Sequence, residues 1–112
     1  MKAMDVGIIA GPRGEAFVGG RLVARIGQWE VRSFPGGDWD GSFDCEWYAG
    51  SDPDAFGLLK GSSIEVSLRL KDYNEIVHEG VAMAAPAGEI KMLGDVALLE
   101  LKISGSGPIW RA

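Results

Sequence analysis

Few side chains in this sequence offer acid–base, nucleophilic or metal chemistry: it contains one histidine, His78, and one cysteine, Cys45. A thiol and an imidazole brought together by folding would make a nucleophile and its base. The pattern around Cys45 argues against that use. Phe43, Cys45 and Trp47 share one parity, and Ser42, Asp44, Glu46 and Tyr48 take the other. In an extended strand the thiol therefore lies on the apolar side, where cysteine behaves as a small buried hydrophobe. A lone imidazole excludes a site built from several histidines, and His78 reads as a polar position on a half-exposed strand. Asp38, Asp40, Asp44 and Glu46, with Asp52 and Asp54 beyond, could supply oxygen ligands. Their spacing fails that of a calcium loop, because Gly41 follows Asp40 directly and no glutamate stands at the closing position. Outward carboxylates that keep the surface acidic account for them better. Gly11-Pro-Arg-Gly14 lacks the Gly-Lys-Ser/Thr ending of a phosphate loop, and no helix follows it. The expectation is a protein without catalytic residues, cofactor or metal.

The elements that would position these residues are mostly strands. Ile64 to Lys71 alternates cleanly, with Ile64, Val66, Leu68 and Leu70 inward and Glu65, Ser67, Arg69 and Lys71 outward. Asp72-Tyr-Asn74 supplies turn residues, and extended structure from Glu75 to Ala84 completes a hairpin. Glu89 to Leu93, the turn Gly94-Asp95 and Val96 to Ser104 predict a second hairpin. Arg21 to Phe34 is a half-exposed strand with one defect: Leu22, Ala24 and Ile26 share a parity that Trp29 and Val31 do not. A bulge at Gly27 reconciles the two halves. Pro35-Gly-Gly-Asp38 then makes a turn or longer loop. Between Trp39 and Gly61 the period changes from strand to helix. Ser51 or Asp52 is the N-cap, Pro53 the first helical residue, Asp54 sits at the positive dipole end, and Gly61 is the stop. So short a helix, about 52–60, must dock Phe56, Leu58 and Leu59 on the sheet. Residues 1–20 read as two short extended segments or an arm, with Pro12 interrupting any central strand.

The sum is a single mainly β domain, 1–112, of seven or so strands: a β-sandwich or partly closed antiparallel barrel with one short α-helix. Its 46% hydrophobic and 24% charged residues are ordinary globular composition. The net charge of −5 opposes direct binding of nucleic acid, which needs clustered Lys and Arg. There is no apolar run long enough to cross a membrane and no basic and apolar leader, so a soluble product is expected. Four tryptophans are many for one small core. Either they plug the ends of a sandwich or some sit between chains; Trp29, Trp39, Trp110 and Phe17 are the candidate subunit contacts. An aromatic sugar-binding face has no accompanying motif.

From Trp29 onward the order of elements resembles the tube-forming proteins of tailed-phage tails. The resembling texts are Trp29-Glu-Val31, Trp39-Asp-Gly-Ser-Phe43, Asp52-Pro-Asp-Ala-Phe-Gly-Leu-Leu59, the strands Ile64 to Lys71 and Glu75 to Ala84, and the ending Ser104-Gly-Ser-Gly-Pro-Ile109. They span about two thirds of the chain, as patterns rather than diagnostic motifs, and residues 1–20 do not match. The resemblance implies a virion structural protein, not an enzyme, made in the host cytoplasm and assembling with itself and other virion proteins. Its hexameric rings would stack into a tail tube through which DNA passes without sticking. Asp44, Glu46, Glu65, Glu75 and Glu79 are then candidates to line an acidic lumen. A capsid decoration or cement protein is the rival within phage biology, and a small ligand-binding β-barrel the rival outside it.

Overall fold

The computed structural model describes residues 7–107 and the backbone of 110–111. Its elements are β1 Gly7–Gly11, β2 Arg13–Val18, β3 Arg21–Ser33, β4 Asp38–Trp47, α1 Pro53–Gly61, β5 Ile64–Lys71, β6 Val77–Pro86, β7 Lys91–Leu93, β8 Val96–Ser106 and β9 Trp110–Arg111. Six of the strands close into an antiparallel barrel in the order β2–β3–β4–β8–β6–β5, with β5 returning to β2. Of the two architectures expected from the strand pattern, a β-sandwich or a partly closed antiparallel barrel, the barrel is found, with its six strands closed into a ring.

Closure depends on how long strands are bent. β3 is 13 residues, about 40 Å at the usual rise per residue, and the molecule measures 50 × 28 × 24 Å. Its register on β4 shifts between Ile26 and Trp29, where Gly27 and Gln28 stand opposite the single residue Asp44. This is the bulge that the parity change required, and it lets Ile26 and Trp29 both face inward. A second shift against β2, between Ala16 and Phe17, adds Val23 as an extra residue, so Val23 and Ala24 are buried in succession. Gly19 and Gly20, both with positive φ, make the two-residue turn between β2 and β3 that matches the twist of the flanking strands.

Residues 7–18 are not an arm. Pro12 separates β1 from β2 as expected, but both run along the same edge of β3, and β2 is a barrel strand between β3 and β5. Met1 to Val6 lie outside the described residues. Both predicted hairpins are present, β5 with β6 and β7 with β8. Among the described residues the strands number nine, against seven or so expected; Trp110–Arg111 adds a short pairing on β6.

The interior is filled by side chains, as a ring of so few strands requires. Trp47, Phe43, Ile26, Leu70, Leu101, Val31 and Val66 are fully buried, with Trp29 and Trp39 nearly so. Small residues face these large ones: on β6 the inward positions are His78, Gly80, Ala82 and Ala84, while Val81 and Met83 point out. Trp39 packs so closely on β8 that a Cβ at Gly105 would collide with its ring. α1 contacts β5 and β6. Asp52 is its N-cap, its side chain accepting from the Ala55 N–H at 3.1 Å, and Pro53 opens it. Leu59 and Ala55 are buried and Phe56 packs against the core, but Leu58 is 61% exposed. The expected docking of Leu58 is therefore corrected: one turn cannot turn three nearly consecutive side chains to the same side.

Candidate functional site

Cys45 lies on the inner face of β4, 6% exposed. Burial, and then the negative charges of Asp44 and Glu46, push its thiol up to about 12, so it carries its proton at neutral pH. His78 is not half-exposed but buried, since its parity on β6 places it inward with Ala82 and Ala84. Its Nε2 lies 2.9 Å from Asp72 Oδ2. Asp72 Oδ1 accepts from the backbone N–H groups of Asn74 and Ile76 at 2.8 and 2.9 Å. These bonds, that of His78 first, hold the Asp72 carboxyl below its ordinary value. The Trp29 ring meets the imidazole edge-on, centroids 6.2 Å apart, and its Nε1–H donates to the carbonyls of Arg13 and Lys71 at 2.8 and 3.1 Å. The Asp–His pair thus fastens the β5–β6 turn, and Trp29 ties β3 to β2 and β5. Among the described residues no three acidic, histidine or cysteine side chains converge as metal ligands.

What the fold does expose is three strands that pair on one side only among the described residues, β1, β7 and β9, and a patterned outer surface. β1 pairs with β3 on one side only, and no described strand pairs with its other side. Its text, Gly-Ile-Ile-Ala-Gly, has no charge, and Ile8 is 59% exposed. β7, at one end of the strand order, is only three residues and carries Lys91, and β9, at the other end, is two residues. Short length and charge are the usual protections of an edge, and β1 has neither charge nor proline within it.

Around the barrel's outside, a row of directly opposed residues alternates in sign: Glu46 on β4, Arg25 on β3, Glu15 on β2, Arg69 on β5 and Glu79 on β6. Opposite charges across strands favour this register over its one-step slips. Beside the row, Arg13 and Lys71 are opposed on β2 and β5, and Arg13 Nη2 reaches Glu75 Oε1 at 3.2 Å. Arg13, Arg25, Arg69 and Lys71 surround Glu15 along a groove of about 490 Å³.

The acids expected to line one lumen are dispersed. Asp44 and Glu46 are on β4, Glu65 on β5, Glu79 on β6 and Glu75 in the β5–β6 turn; all are exposed. Only Asp44 and Glu46 are close, while Glu46 and Glu79 take opposite ends of the alternating row. Of the candidate subunit contacts, Trp29 and Trp39 are corrected: they are 3% and 4% exposed inside the barrel. A strand's parity tells which face is apolar, not whether that face meets its own barrel or another chain. Phe17 is half-buried on the outer side of β2, opposite Ser67. The side chain of Trp110 lies outside the described residues.

No known protein family, characterised protein or solved structure matches the chain. Two features escaped the sequence: the Asp72–His78 pair and the cationic groove. The first had a signal in the inward parity of His78, whereas the second requires the lateral order of strands.

Proposed function

We propose that this protein is a non-enzymatic structural subunit that assembles with copies of itself, as the tail-tube proteins it resembles do, into rings that stack as a tube for DNA passage. The observation that carries the proposal is the β1 edge. An uncharged strand edge that no described strand pairs, carrying exposed Ile8, is a template for adding a strand from another chain. A barrel whose interior is packed with aromatic and aliphatic side chains leaves its outer surface as the working part, which disfavours a ligand-binding barrel. The net charge of −5, spread over most of the exterior, fits a surface past which DNA slides without adhering.

Negative-stain microscopy and light scattering of the purified protein test this. Rings or tubes are expected for the wild type. Ile8→Lys, which places a charge on the open edge at an exposed position, is expected to remain folded by circular dichroism and to lose assembly. A protein that stays monomeric at the highest attainable concentration overturns the proposal, and monomers that bind preformed capsid shells would favour the decoration role.

A further inference from the structure

The barrel exterior carries a cationic groove and a pair of opposed carboxylates whose charges, the Arg13–Glu75 contact apart, close into no ion pair among the described residues. The first is the groove of Arg13, Arg25, Arg69 and Lys71 around Glu15. Arg13 is engaged by Glu75, and among the described residues no ion pair reaches Arg25, Arg69 or Lys71. The groove takes 4 of the 11 basic residues and 1 of the 16 acidic ones, leaving 7 basic against 15 acidic elsewhere. The second patch is on β4 and β8, where Asp44 stands directly opposite Glu100. Like charges so placed repel and weaken the pairing. Neither takes part in an ion pair among the described residues, and Glu30 lines the same hollow with Gln28, Ser42 and Tyr73. Glu100 on β8 is three strands from β2, where the groove is centred, on the far side of a six-stranded barrel, whereas Asp44 on β4 is two strands away and lines a hollow with Arg13 and Arg25.

We propose that copies of this chain associate head to tail, the Arg25–Arg69–Lys71 groove of one copy receiving the Asp44–Glu100 pair of the next. This rests on the self-assembly argued above and names a contact for it. Charge complementarity selects a second copy as the occupant: the surface outside the groove is strongly acidic, and a neighbour's cations relieve a like-charge pair that the isolated chain leaves opposed. Two different patches that meet form a heterologous contact, which repeats around a ring or along a filament instead of closing as a dimer. Exposed charges of this kind set approach and register more than adhesion. The contact therefore works together with backbone pairing at β1, not in place of it.

Sedimentation velocity of the full chain at low and high salt, with circular dichroism as the folding control, tests the contact. Arg69→Glu and Glu100→Lys each reverse one exposed charge and are expected to weaken association by roughly tenfold, while the double variant, which exchanges the signs of the two positions that meet, regains most of it. Arg69→Gln and Glu100→Gln should act in the same direction with smaller effect, and raising the salt should weaken the wild type. If the wild type associates and neither reversal alters it, the contact is overturned while self-assembly stands. If the wild type is monomeric throughout, self-assembly itself falls and the contact with it. Binding of a short DNA duplex that Arg69→Glu abolishes, with association unchanged, would overturn the second copy as occupant in favour of nucleic acid.

Discussion

Asp72 is the residue on which one end of the barrel turns. Its carboxylate accepts two backbone N–H groups and faces His78, which in turn meets Trp29. Its pKa is held below the ordinary aspartate value, foremost by the His78 bond. The unfolded chain therefore binds the proton more readily. The stabilisation is fully present above the unfolded pKa of about 3.9 and is lost as pH falls through the lower folded value. In thermal unfolding followed across acid pH, Asp72→Asn should lower Tm at pH 7 and flatten the acid dependence; an unchanged profile would remove the pair from the fold's supports. At this scale the sequence was legible in part. Parity placed Cys45 on the apolar side, and that is where its neutral thiol lies. His78 shares the inward parity of Ala82 and Ala84, but the partner that makes its burial tolerable, Asp72, sits in a turn whose geometry no alternation reveals.

At the scale of elements, α1 was the clearest local text. Asp52, Pro53 and Asp54 begin it as their chemistry requires, and Lys60 ends it on the favourable side of the dipole. Its attachment rests on few side chains, chiefly Leu59, which is fully buried, while Leu58 at the preceding position is exposed. Leu59→Ala should cost about 2–5 kcal/mol and Leu58→Ala less than about 0.5 kcal/mol, measured by urea unfolding. Equal effects would contradict this docking. The bulge at Gly27 was also readable, since a strand of mixed parity can bury both halves only by gaining a residue. The second bulge was not, because the step from Val23 to Ala24 shows no polar interruption and is set by where β2 lies.

At the scale of the whole molecule, each barrel strand is held on both sides, so disruption of one should unfold all. β5 lies between β2 and β6 with Leu68 at its middle, 3% exposed, while Glu65 on the same strand points outward. Leu68→Asp would bury an unpaired carboxylate and is expected to abolish folding. Glu65→Lys is expected to keep the native circular dichroism spectrum; if it unfolds the protein, the inward and outward faces of β5 are misassigned. By itself the sequence determined the strands, their inward faces, the hairpins, the helix and its cap, and the acidic exterior. These depend on alternation, turn chemistry and charge within a few residues. Only the tertiary structure decided that β5 returns to β2 and closes the ring, that Trp29 and Trp39 fill it, that residues 7–18 are strands, and that cations from three strands share a groove. Each of these depends on which distant strands become neighbours, and that follows from packing the whole set of large and small inward side chains at once.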